Sequence, residues 1–254
     1  MSGVQMPQVP LRPGRPGFSK RTRLVLAVTL VAMVAGLLAG GAILLHSSSK
    51  ARVLTIPAAD RNASPALIRA AEAVGFRPPH LAGTGKIESQ SASAAKLMTS
   101  GLLAVGARAP DFTLRTPSGT HVSLQALRGK AVLLEFFATW CPHCNAEAPH
   151  LHDLYGRLPH RKIAFVSIDG NSDDAPSVFA YHVWYGLPFP AVLDQGSRTV
   201  TFPEHGPLGP VTKAYGVAEW PTFYVVDPQG RVTWRSGGEQ PDALLEAELR
   251  RAAG

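Results

Sequence analysis

AVLLEFFATWCPHCNAE, residues 131–147, is the stretch on which the reading of the chain turns. Val132 to Phe137 is a short apolar run holding one acid, Glu135, and ending at a break, the pattern of a buried central strand. Pro142 then suits the first position of a helix, where its missing N–H costs nothing. Cys141 and Cys144 therefore fall at a strand-to-helix junction, the first at the helix N-terminus and the second one turn in, on the same face. Free N–H donors and about half a positive charge gather at such a terminus. Both stabilise a thiolate, which predicts Cys141 as a nucleophile of depressed pKa and Cys144 as the thiol that resolves a mixed disulfide. A C-x-x-C beside a βαβ pattern is a redox motif. A zinc site would need two more ligands, and the chain has only 2 cysteines. A static disulfide across so short a loop would gain little loop-closure entropy.

The neighbours of the pair add acid–base chemistry. A carboxylate inside an apolar strand is costly and tends towards a raised pKa, so Glu135 can take the proton from Cys144 during resolution. Glu147, one turn beyond Cys144, can do the same from the helix side, and the choice between them stays open. The plainer alternative for each is a surface or ion-paired carboxylate, and it weighs more on Glu147. His143 between the cysteines supplies a cationic imidazole near a thiolate; otherwise it is an exposed helix residue. Trp140 is expected to shield the cysteines. His150 and His152, two apart on a helix, face different ways and make no metal pair. No metal and no cofactor are expected.

The chain has 254 residues, 45% hydrophobic and 17% charged, the composition of a globular protein. Its net charge of +7 first suggests nucleic acid. Arg12, Arg15, Lys20, Arg21 and Arg23, with no acid among them, carry most of that excess, so no nucleic-acid partner is expected. Residues 1–23 read as a basic, Pro- and Gly-rich cytoplasmic tail. Residues 24–45 are uncharged and long enough to span a bilayer as an uncleaved transmembrane helix. Basic residues before the span place everything after it outside the cytoplasm. Residues 46–104 read as an extracytoplasmic spacer with a short helix, capped by Ser64 and Pro65 and closed by Gly75. The catalytic domain is expected over 105–254. It holds a hairpin around Pro117-Ser118-Gly119, a second buried strand over 162–168 and a helix over 175–186. A short strand over 190–193, a long irregular loop over 195–210, a terminal hairpin around Pro228-Gln229-Gly230 and an amphipathic helix over 241–252 follow. Strands alternating with helices make an α/β layered fold.

Trp140-Cys141-Pro142-His143-Cys144 after a buried strand resembles the thioredoxin fold. Its setting is similar to the TlpA/ResA/CcmG branch, the membrane-anchored, redoxin-type thiol–disulfide oxidoreductases related to the AhpC/TSA proteins. Ala109-Pro110-Asp111-Phe112-Thr113-Leu114 and Leu127-Arg128-Gly129-Lys130 resemble the entry segment of that branch. Glu147 stands where the ResA-like proteins have an acid, and Pro149 where the family has a helix-kinking proline. Trp220-Pro221-Thr222 resembles the cis-proline loop that faces the cysteines and binds clients through the backbone of Trp220. Glu135 stands where thioredoxin has its buried acid, a departure from the branch. The resemblance covers about 109–253 and implies a thioredoxin-like α/β fold, a central mixed sheet flanked by helices. It also implies protein thiol clients outside the cytoplasm and a redox partner that recycles the disulfide. Roles of this kind lie in cell redox homeostasis and cytochrome c biogenesis. The Pro-His dipeptide resembles that of DsbA-type oxidants, whereas the branch favours reduction, so direction stays open. Two other functions compete. A peroxiredoxin-like peroxidase would need neither C-x-x-C nor the tryptophan. A Sco-like copper chaperone would space its cysteines more widely.

Overall fold

The computed structural model describes residues 60–79, 91–195 and 208–254. The expected tail, the expected membrane span 24–45 and residues 196–207 of the long loop lie outside them. No described helix is long and apolar enough to cross a membrane.

Strand β3, Ala131–Phe137, is buried at every position. Its side chains alternate between two cores. Ala131, Leu133 and Phe137 join one cluster with Leu151, Leu154, Tyr181, Leu245 and Leu249. Val132, Leu134 and Phe136 join a second with Leu102, Phe112, Tyr215 and Tyr224. That is the period-2 rule of a strand covered on both faces. Burying each of the large side chains contributes about 1.5–3 kcal/mol, so a polar substitution in this run would be severe. Glu135 falls in the odd-numbered set and so projects into the first cluster.

Seven strands form one mixed sheet in the order β2-β1-β5-β4-β3-β6-β7. They are β1 Thr113–Arg115, β2 His121–Ser123, β3, β4 Ile163–Asp169, β5 Ala191–Leu193, β6 Thr222–Val226 and β7 Val232–Gly237. β3 pairs parallel with β4 and antiparallel with β6. Glu135 is thereby flanked by Ser167 on β4 and Phe223 on β6. The helices are α1 Pro65–Val74, α2 Ala92–Met98, α3 Pro142–Arg157, α4 Ala175–Tyr185, α5 Pro210–Ala214 and α6 Asp242–Ala253. Helices α3 and α6 carry Leu151, Leu154, Leu245 and Leu249 into the first cluster, and α4 carries Tyr181. This is the thioredoxin-like α/β arrangement.

Helix α1 forms as its caps predict. Ser64 Oγ accepts the N–H of Leu67 at 3.1 Å, and Gly75 ends the helix at φ 59°, a left-handed conformation that a side chain resists. Its Ala71 packs with Phe179, Ala180 and Val183 of α4. Leu102 is buried with Phe136 and Tyr215, and the N–H of Leu103 reaches Tyr224 Oη at 2.9 Å. Core contacts thus begin upstream of the expected domain start near Val105. Short helix α5 was not expected from the sequence. Its N–H groups without a helical partner are taken by Asp194, whose Oδ2 accepts from Thr212 N at 2.6 Å and Oδ1 from Val211 N at 3.2 Å.

Candidate active site

Cys141 is the N-cap of α3, with extended backbone, and Pro142 is the first helical residue. The thiol therefore sits where the helix has unmatched donors, and Cys144 N donates to Cys141 Sγ at 3.3 Å. Both cysteines are free thiols. Both are buried, Cys141 at 4% exposed and Cys144 at 0%, so of the two only the first reaches towards the surface. The Trp220–Pro221 peptide is cis, and the Cys141 thiol donates to the Trp220 carbonyl at 3.4 Å. Trp140 is 38% exposed and packs edge-on against Trp220, 5.9 Å between ring centroids. It forms one wall beside the cysteines, open to solvent, rather than a full cover.

The pair is electrostatically asymmetric. The Cys141 pKa is lowered, first by the hydrogen bond from the Cys144 thiol, then by backbone N–H groups and the His143 charge. Cys144 is pushed well above the ordinary thiol value, chiefly by burial, with the charges of Cys141 and Glu135 adding to it. A thiol whose ionisation is favoured stands beside one whose ionisation is opposed, an arrangement suited to a nucleophile and a resolving thiol that needs a base. His143 is largely exposed, its side chain 65% accessible, with Nδ1 2.6 Å from Glu239 Oε1 in the loop after β7. The imidazole is thus both a surface group and a contributor to Cys141, but not the leading one.

Two acids lie on the buried side. Glu135 Oε2 accepts from Ser167 Oγ, while its Oε1 is buried without a partner. Burial raises the Glu135 pKa from 4.5 to about 7, against the Ser167 hydrogen bond that lowers it. Glu147 is wholly buried, which goes against the plainer alternative of a surface carboxylate. Its Oε2 accepts the Gln240 N–H at 3.1 Å, its Oε1 has no partner, and no described cation pairs with it. Burial holds its pKa well above the carboxylate range, and the charges of Glu135, Glu239 and Asp242 add to the effect. Helical periodicity explains the place. Glu147 follows Cys144 by three residues and shares its inward face with Ala148 and Leu151.

Other groups shape the site that sequence reasoning passed over. Asn145 is buried, and its Nδ2 donates to the carbonyls of Thr139 at 3.0 Å and Cys141 at 2.7 Å. Its Oδ1 accepts from Tyr185 at 2.8 Å. Tyr181 donates to the Cys144 carbonyl at 2.8 Å, and Asp173 Oδ2 accepts the Thr139 N–H at 2.7 Å. Asn145 lies in the motif itself, and an amide at a helix start is a known competitor for backbone groups; that was the available signal. Among the described residues, no group of three His, Cys, Asp or Glu is placed to hold a metal ion.

Residues 105–235 match the model of the AhpC/TSA family. The thiol–disulfide oxidoreductase ResA of Bacillus anthracis is 30% identical over 147 residues, 58% of this chain and 78% of that protein. ResA of Bacillus subtilis is 30% identical over 141 residues, 55% of this chain and 71% of that one. Among solved structures, a Chlorobium tepidum protein provisionally given the name thiol:disulfide interchange protein DsbE matches with TM-score 0.51 and 25% identity, over 60% of this chain and 99% of its own. A thioredoxin-like superfamily protein, also at TM-score 0.51 but 24% identical, supports the fold alone. The chain belongs to the AhpC/TSA family, as a homologue of the ResA thiol–disulfide oxidoreductases.

Proposed function

We propose that this chain is a thiol–disulfide oxidoreductase that works from a membrane tether, outside the cytoplasm, on protein clients. The observation that carries the chemistry is the asymmetric pair: a Cys141 thiol at a helix N-terminus beside the Trp220 carbonyl, with Cys144 sealed behind it among two carboxyl groups. Acting on client disulfides, the Cys141 thiolate attacks one sulfur and the client's other sulfur leaves, taking a proton. Cys144 then gives its proton to the Glu135 carboxylate and attacks Cys141 Sγ, which frees the second client sulfur. Two electrons have passed to the client, and the Cys141–Cys144 disulfide remains. The reverse sequence oxidises a client dithiol. A redox partner outside the cytoplasm restores the starting state in either direction. Stabilising the Cys141 thiolate favours the reduced enzyme and so makes the couple more oxidising. The tether rests on the uncharged run 24–45 and the basic residues before it.

The test is capture. Cys144→Ser leaves Cys141 joined to its client, so this variant should accumulate mixed disulfides with exported proteins, and Cys141→Ser none. Capture of nothing by Cys144→Ser, with consumption of hydrogen peroxide by the wild type, would replace this reading with the peroxidase.

A further inference from the structure

Cys144, Glu147 and His150 follow one another at three-residue intervals along α3. Residues so spaced are neighbours on a helix surface, with Cβ atoms about 5–6 Å apart. Exposure grows along the row: Cys144 and Glu147 are closed to solvent, and the His150 side chain is 33% exposed. Glu147 sits in the middle with Oε1 buried and unpartnered. The outer end is held from α6. His150 Nδ1 lies 3.0 Å from Asp242 Oδ1, and Asp242 Oδ2 accepts from Arg157 at 2.8 Å. Arg157 also lies 3.7 Å from Glu246 of α6, which Arg250 of the same helix meets at 2.8 Å.

A thiol closed to solvent cannot hand its proton to bulk water. We propose that His150, fixed by Asp242, is the outlet through which the proton of Cys144 leaves the protein, by way of Glu135 and Glu147. The inference rests on the exchange reading above. Glu135 takes the proton from Cys144 Sγ as that sulfur attacks Cys141. Glu147, whose protonated form burial favours, passes its own proton to the other ring nitrogen of His150, directly or over one water, and takes up the one that Glu135 collected. The imidazolium, hydrogen-bonded to the Asp242 carboxylate, passes the proton on to solvent from its partly exposed side chain. One proton leaves Cys144, one reaches solvent, and every carboxyl group returns to its first state. His150 is thus a positioning and relay group that never touches the sulfurs.

The experiment follows the reduced full-length protein as oxidised glutathione converts it, with acid quenching, alkylation and mass spectrometry. This separates the glutathione adduct on Cys141 from the Cys141–Cys144 disulfide. In His150→Ala and in the shape-conserving His150→Gln, adduct formation should keep its rate, while resolution slows. A direct acid–base group is worth roughly 10²–10⁴-fold, and an outlet one step removed should cost less, about tenfold. Free imidazole should restore resolution saturably in His150→Ala, and should fail to do so when Glu147→Gln is added. Resolution at the wild-type rate in both variants, or slowing that imidazole does not relieve, would overturn the outlet while leaving the exchange function intact. A wild type that forms no Cys141–Cys144 disulfide at all would defeat the exchange reading, and the outlet with it.

Discussion

Replacing Glu135 by glutamine should make the domain relatively more stable as pH rises. Burial moves the carboxyl from 4.5 to about 7. Below the lower value the group is protonated whether the chain is folded or unfolded, and it adds no pH dependence. Between the two values the unfolded chain gives up its proton and the folded one keeps it, so stability falls as pH rises. Above about 7 both forms are ionised and the whole penalty is present. At roughly 1.4 kcal/mol per pH unit, the gap amounts to about 3 kcal/mol. Because Glu135 is fully buried, solvent screening does not reduce this figure. Glutamine has no such titration. Its amide would leave an unpartnered donor where Oε1 now lies, a fixed cost of about 1–3 kcal/mol that shifts the curve without changing its shape. The measurement is urea unfolding of reduced wild type and Glu135→Gln between pH 4.5 and 8, followed by tryptophan fluorescence. All 4 tryptophans, Trp140, Trp184, Trp220 and Trp234, lie in the catalytic domain. The stability difference, variant minus wild type, should climb by about 3 kcal/mol across that range. Parallel curves would refute the reasoning, since they would mean that Glu135 ionises alike in both states.

Two further outcomes are expected. The pH profile of Cys141 alkylation should inflect below the free-thiol range, and Cys144→Ala should move it upward further than His143→Ala, because the Cys144 thiol is the larger cause of the lowering; the reverse order would make the exposed imidazole the main one. Alkaline phosphatase fused to the C-terminus should be active and a cytoplasm-only fluorescent fusion dark, and the opposite pair of results would overturn the extracytoplasmic placement.

Local rules made most of the fold legible. The alternation along β3, the proline at the first position of α3 and the Ser64 and Gly75 caps of α1 each depend on residues a few places apart, and each appears in the structure. Helix α5 escaped because its start is capped by Asp194, 17 and 18 residues away from the N–H groups it binds. No local pattern announces a cap at such range.

The site divides in the same way, and the division explains why the burial of Glu147 could not be read from its neighbours in sequence. Spacing from Cys144 puts it on the inward face, but spacing cannot say what lies opposite. The element opposite is the loop after β7, whose Gln240 N–H reaches Glu147 across 93 residues of sequence. Glu239 of the same loop meets His143 across 96, and Gly238 N donates to the Pro221 carbonyl at 2.7 Å. One short loop therefore touches the surface histidine, the buried acid and the proline beside Trp220. A chain of local readings treats those as three separate residues. Burial then converts that contact into chemistry. An exposed Glu147 would be an ordinary carboxylate, whereas burial with a single N–H partner raises its pKa and favours the protonated form. It then becomes a group that can relay a proton from Cys144 rather than merely carry charge.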